Sequence, residues 1–288
     1  MRLFRPRERR AADEGDIRAS FASLGEWTDF LSRHPALERP ERIARIVGEA
    51  CARGISSTFL GAVSPRDIAL RGANYREDLL AAGLNPRQRA ILDLLSEDPR
   101  AADAHALRLF AHEAVTPLAL ALRGRFTRLL CSEYASDADA AARARLFPIP
   151  VIDIMQSGLP DAAFDVIASN DVFEHVADLD AALHDTARIL RPGGRLLASF
   201  PFLFGREASE LRAVSERGVV RHLMPPEYHG NPADPERDSL VFRIMGWDVL
   251  PRIRDAGFAD ARMVFWSSVA RGLTGAEIAG VFTLDARR

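Results

Sequence analysis

The chain has 288 residues, of which 48% are apolar, 27% charged and only 8% aromatic, and its formal net charge is −2. That is enough chain for one large domain or two smaller ones around a buried core. No apolar run approaches the roughly 20 residues that cross a bilayer, and the charged N-terminus lacks the apolar stretch of a secretory signal, so no membrane partner and a cytoplasmic location are expected. Near-zero net charge argues against a nucleic-acid binder. All 38 basic residues are arginines, which removes the Walker lysine, the pyridoxal Schiff base and any lysine base. Cys51 and Cys131 lie too far apart in sequence for a disulfide framework or a Cys-rich zinc site.

Met1 to about Arg10 carries five arginines and reads as a solvated tail. From Asp16 to about Leu95 apolar residues recur at helical spacing, broken at Pro35, Pro40, Gly54, Pro65 and Pro86. Within that stretch Asn85-Pro86 reads as an N-cap and first-turn proline ahead of the stripe Ala90, Ile91, Leu94. Residues 1–100 are therefore expected to form a helical cap region on a second unit, 101–288; exposed apolar residues on its helices would make the protein a homodimer. After Ala104 short apolar runs alternate with helical segments, the pattern of a parallel sheet covered by helices. Strands are predicted at Leu107 to Phe110, Arg128 to Cys131, Val151 to Ile154, Phe164 to Ala168, Arg195 to Phe200, Ala261 to Trp266 and Val281 to Leu284. A helix capped by Thr116 and ended by Gly124 joins the first two, and another starts near Asp178 and runs to the turn Pro192-Gly193-Gly194.

Open parallel sheets bind ligands beyond the carboxyl ends of their strands. There the sequence reads His112-Glu113-Ala114, then Ser132-Glu133-Tyr134, then Asp153, then Ser169-Asn170-Asp171. Glu133 lies twenty positions beyond Glu113, the spacing at which a second-strand acid meets a ribose, and one carboxylate can accept from both ribose hydroxyls. Asp153 can accept from an adenine amine, with Ile154 and Met155 offering an apolar surface to the ring.

The run LPDAAFDVIASNDVFEHVADLDAALHDTARILRPGGRLLASFPF, Leu159 to Phe202, resembles the central segment of class I S-adenosylmethionine-dependent methyltransferases. The resemblance rests on the combination Leu159-Pro160, Phe164-Asp165-Val166, Glu174-His175-Val176 and Arg191-Pro192-Gly193-Gly194, and extends more weakly over 104–288. It implies an α/β, Rossmann-like seven-stranded methyltransferase sheet, mostly parallel with the last strand antiparallel, and S-adenosyl-L-methionine as cofactor. It also implies that Glu133 holds the ribose, Asp153 the adenine amine, and that Asn170 lies beside the methionine portion. Where the family has a glycine-rich first loop, this chain reads FAHEAVTPLALAL. Glu113 then stands near the methionine amino group, Ala114 and Val115 need a wider turn, and a dinucleotide, which requires the glycine turn for its pyrophosphate, is disfavoured.

The insertion from Leu203 to Leu240 exceeds an ordinary connection and is a candidate acceptor wall, stiffened by Pro225, Pro226 and Pro232. His229 in it is the first candidate base, Tyr228 can stack on or bond the acceptor, and Asp171 and His175 are the other catalytic candidates. His112 and His222 are lesser ones. Neither Glu174-His175 nor the remaining histidines has metal spacing along the chain, so no metal is expected. The reading is methyl transfer to a small-molecule or carbohydrate acceptor, by O- or N-methylation. Two alternatives stay open: methylation of a protein or nucleic acid, and a binding or regulatory protein of this fold without turnover.

Overall fold

The computed structural model describes residues 15–136 and 139–288. The arginine-rich tail expected before Arg10 lies outside them. The central sheet has seven strands: β1 (Ile17–Phe21), β2 (Leu109–Ala111), β3 (Leu129–Cys131), β4 (Phe164–Asn170), β5 (Leu190–Ser199), β6 (Asp260–Ser267) and β7 (Val281–Arg287). Their spatial order is β1-β6-β7-β5-β4-β2-β3. The pairs β3–β2, β2–β4 and β4–β5 are parallel, while β7 runs antiparallel to both β5 and β6.

Alternation along the central strands builds two cores, one on each face. Phe110, Ile167, Leu196 and Leu284 face one side; Leu109, Ala111, Val166, Ala168 and Leu197 face the other. The sheet thus needs helices on both faces, and the N-terminal region supplies some of them. Helix α1 (Leu24–Arg33) inserts the fully buried Trp27 among Phe21, Phe265 and Phe282, and α2 (Pro40–Arg53) adds Ile43 and Ile46 to the same core. Helix α3 (Pro86–Ser96) carries the expected cap, with Asn85 and Gln88 in a reciprocal capping box, and is buried from Pro86 to Leu95 against β5 and β7.

The region read as wholly helical differs in two respects. Ile17–Phe21 pairs antiparallel with β6 as an edge strand of the central sheet, its apolar residues too few for periodicity to reveal. Short hairpins, Ile55–Ser57 with Gly61–Val63 and Ile68–Leu70 with Leu79–Ala81, join α2 to α3. The strand expected at Val151 to Ile154 is reduced to one bridge, Val151 opposite Glu133. Pro148 and Pro150 remove ladder donors just before it. The Pro192-Gly193-Gly194 turn is absorbed into β5, which has a register irregularity opposite Phe164 and Val166. A Cβ on Gly194 would come within 2.8 Å of the Arg191 carbonyl, so the close crossing requires glycine.

At the amino end of the sheet Asp165 accepts from the Arg108 N–H at 2.8 Å and from its guanidinium at 3.3 Å, and pairs with Arg191 at 2.6 Å. Burial alone would raise this carboxyl, but the bonds and charges of Arg108 and Arg191 outweigh it and hold it below the usual range. A depressed folded pKa gives stability present above the unfolded value, about 3.9, and lost as pH falls through the folded one. Asp165→Asn is expected to lower stability at pH 7 and to flatten the acid decline below pH 4, read from urea unfolding at the two pH values.

Candidate functional site

The carboxyl ends of β2, β3 and β4 open on a cavity of about 560 Å³. It gathers His112 and Glu113 from the end of β2, Glu133 and Tyr134 from β3, and Asn170, Asp171, Glu174 and His175 from β4 onward. The opposite wall is His229 to Pro232 of the long insertion, and a third side is Asn74, Glu77, Asn85, Arg87 and Gln88 from the N-terminal region.

Side chains brace the glycine-poor first loop. Glu133 Oε1 accepts from the Ala114 N–H at 2.7 Å and the Val115 N–H at 3.1 Å, and Arg123 bonds the Ala114 carbonyl at 2.8 Å. Thr116 then caps helix α4 (Pro117–Arg123) through the Ala119 N–H. Both backbone bonds fall on one oxygen of Glu133, which leaves Oε2 for a ligand. Burial raises the Glu133 carboxyl, and the two backbone bonds and Arg123 oppose that rise. Ala114 is itself fully buried and meets the cavity only through its neighbours.

Glu113 is buried with Oε1 unpartnered. Burial first, then the charges of Asp171, Glu133 and Glu174, push its carboxyl well above the ordinary range against a bond from Thr116. His112 beside it is also buried, both ring nitrogens unpartnered, between Phe110 and Phe173. Desolvation lowers its pKa to about 3, so it stays neutral.

Asp171 occupies the left-handed region, φ 55°, which Asp tolerates better than most residues. Its N–H donates to the Ser199 carbonyl and Ser199 Oγ bonds Asn170 Oδ1 at 2.9 Å, tying the ends of β4 and β5 together. Arg87, the residue that sequence reasoning passed over, reaches Asp171 Oδ2 at 2.7 Å and also pairs with Glu77. Burial opposes the Arg87 charge, and the carboxylates of Asp171, Glu77 and Glu174 more than restore it. The available signal was two arginines, Arg87 and Arg89, inside an otherwise apolar helix.

On the far wall Glu174 is fully buried, and neither carboxylate oxygen has a hydrogen-bond partner. His175 Nε2 and His229 Nδ1 each stand 3.7 Å from its Oε1. The two rings meet edge to face at 5.2 Å. Burial raises the Glu174 carboxyl against the nearby His229, and Glu174, followed by Glu227, raises the His229 imidazole.

Of the residues expected at the site, Glu113, Glu133, Tyr134, Asn170, Asp171, His175 and His229 line this one cavity. Asp153, Ile154, Met155 and Tyr228 do not. Asp153 Oδ1 accepts from the Met155 N–H within its own turn, and Ile154 and Met155 pack into the core. The strand of this segment is cut to a single bridge, with the Ile152 N–H donating to the Glu133 carbonyl at 2.9 Å. Tyr228 is half-exposed on a two-residue strand, Tyr228–His229, paired with Ser239–Leu240.

A second, smaller hollow of about 330 Å³ adjoins the first through Asn74, Arg76 and Arg87 and is walled by Phe200, Phe202, Phe204 and Phe282.

Comparison with known proteins bears on this geometry. Residues 114–198 match the family model described as a methyltransferase domain. Over 221 residues the chain is 28% identical to a demethylmenaquinone methyltransferase of Mycobacterium tuberculosis, covering 73% of this chain and 90% of that one. Over 85 residues it is 36% identical to a 27-O-demethylrifamycin SV methyltransferase of Amycolatopsis mediterranei, covering 27% and 31%. Among solved structures, a 1,6-didemethyltoxoflavin-N1-methyltransferase of Burkholderia thailandensis aligns with a TM-score of 0.39 at 15% identity, covering 70% and 78%. The chain thus carries a methyltransferase domain at 114–198 and is similar over most of its length to a methyltransferase. It is a methyl-transferring enzyme whose cofactor is S-adenosyl-L-methionine. No helix among the described residues is long and apolar enough to cross a membrane.

Proposed function

We propose that the enzyme methylates a hydroxyl of a small molecule with an apolar ring system, and that the 560 Å³ cavity is where cofactor and acceptor meet. The observation that carries this is the split of the cavity into two unlike walls: the carboxylates of the buried Glu113 and the half-buried Glu133 on one side, the imidazoles of His175 and His229 on the other. A ligand bearing an ammonium, a sulfonium and a ribose diol matches the first wall, whose acceptors include the unpartnered Glu113 Oε1. In this reading Glu133 Oε2 bonds the ribose hydroxyls, Glu113 receives the amino group, and Asn170 lies beside the methionine portion. The phenylalanine-walled hollow next to Arg87 suits an apolar acceptor body better than a bare sugar, which would leave its hydroxyls unpaired there.

S-adenosyl-L-methionine supplies a methyl group on a sulfonium. The protein's own part is to align the acceptor oxygen in line with the C–S bond, to exclude water, and to help the hydroxyl lose its proton at the Glu174-His175-His229 wall as the C–O bond forms. The testing experiment is calorimetric titration with S-adenosyl-L-methionine, S-adenosylhomocysteine and a nicotinamide dinucleotide. Binding of the first two alone, followed by methylation of aromatic hydroxyls in an acceptor screen, is expected; binding of the dinucleotide instead would refute the reading.

Glu113 gives that titration a pH signature. Burial favours its protonated form in the ligand-free protein, while a cationic amino group beside it favours the ionised form. Binding therefore releases a proton, and affinity for S-adenosylhomocysteine is expected to rise with pH until Glu113 is already ionised without ligand. Titrations in buffers of different ionisation heat measure the release. Glu113→Gln should remove it, and an unchanged release would assign the proton elsewhere.

A further inference from the structure

We infer that Glu174, His175 and His229 form a binding site for a divalent first-row transition-metal ion, on the acceptor wall of the cavity. The tautomers argue for it first. His175 Nδ1 lies 2.8 Å from the Leu240 carbonyl, which can only accept, so that nitrogen carries the proton and the lone pair of the neutral ring is on Nε2. His229 Nε2 lies 3.2 Å from Glu227 Oε1, which likewise places its lone pair on Nδ1. Those two bare nitrogens are the atoms that face Glu174 Oε1, each at 3.7 Å.

With both rings neutral and the carboxylate ionised, three acceptors thus converge, and the ligand atoms all lie within 4.8 Å of one another. Such a group is repulsive unless a proton or a metal cation lies between its members. Glu174 makes the demand acute: it is fully buried with both oxygens unpartnered, and a buried carboxylate without a partner costs several kcal/mol. Two atoms 3.7 Å apart are too far for a hydrogen bond, but each can lie about 2.1 Å from a common ion at an angle of roughly 120°.

The surroundings match those of a metal site. Each ligating imidazole donates its other N–H to an oxygen, from Leu240 or Glu227, which fixes the ring and raises the basicity of the ligand nitrogen. Two imidazoles and one carboxylate suit zinc, cobalt, manganese or iron better than calcium or magnesium. Three protein ligands leave positions open to an oxygen donor such as an acceptor hydroxyl, whose acidity the ion would increase. That role rests on the methyl-transfer reading; the binding of the ion does not. Spacing along the chain conceals the site because His229 arrives from the insertion, far beyond the Glu174-His175 pair.

The test uses the full chain freed of metal by a chelator and titrated with Co²⁺, followed by visible absorption and calorimetry. Expected are one ion per chain and a ligand-field spectrum of nitrogen and oxygen ligation. His175→Ala and His229→Ala should each weaken Co²⁺ binding at least 100-fold, and Glu227→Gln about 10–100-fold. S-adenosylhomocysteine titration of each variant checks the fold, because the cofactor wall is separate, and its binding should persist. Absence of Co²⁺ binding by the wild type would mean that a proton alone satisfies Glu174, and the inference would fall. Undiminished binding in both histidine variants would mean that the ion sits elsewhere, and would overturn it as well. Failure of the methyl-transfer reading would look different: cobalt bound normally, and S-adenosylhomocysteine not bound at all.

Discussion

Glu133→Gln is expected to lower affinity for S-adenosylhomocysteine by about 10–100-fold, equivalent to about 1.4–2.7 kcal/mol, and to leave the fold near wild-type stability. The two effects separate because the two oxygens of Glu133 do different things. Oε1 accepts from the Ala114 and Val115 N–H groups, and a glutamine carbonyl can keep both bonds. Oε2 becomes an amide NH₂, which cannot accept from ribose hydroxyls. Glu133→Ala should lose affinity more than 100-fold and also destabilise the protein, since the Ala114 N–H is buried and each orphaned donor costs about 1–3 kcal/mol. Calorimetric titration with urea unfolding of both variants provides the readout. Wild-type affinity in the glutamine variant would end the ribose assignment and leave Glu133 a purely structural brace for its loop.

The dual use of Glu133 also shows what was legible in the sequence. Strand ends could be read because alternating apolar runs mark them, and Glu113, Glu133, Asn170 and Asp171 follow directly; the structure brings all four to one cavity. The spacing of Glu133 pointed to a ligand but not to its bonds with the glycine-poor loop, which depend on three-dimensional proximity alone. The strand before Asp153 was less legible. Its run looked like a strand by composition, yet Pro148 and Pro150 limit pairing to a single bridge, and the carboxylate closes its own turn. The wall made of Glu174, His175 and His229 joins a strand end to a long insertion, and no local period links them. Arg87 was hidden because a charged residue in an amphipathic helix is ordinarily on its solvent face, whereas α3 is buried on all sides.

That burial makes Arg87 the residue whose loss should harm the fold most. Arg87→Met is expected to destabilise the protein by about 3–5 kcal/mol, the range for breaking a buried ion pair by deleting one partner. Its side chain is 5% exposed and its guanidinium lies between Glu77 and Asp171, with Glu174 close enough to contribute to its charge. Methionine fills much of the space, so the cost is electrostatic: carboxylates around one cavity would have to protonate, separate or bind another cation. If so, Arg87→Met with Asp171→Asn should recover part of the loss, because the second change removes a charge that the first left unpaired. Urea unfolding of the two single variants and the double variant gives the coupling directly. Strict additivity would deny that Arg87 acts through Asp171. Coupling of at least 1 kcal/mol would establish that an arginine from the N-terminal region sets the charge balance at the carboxyl end of β4.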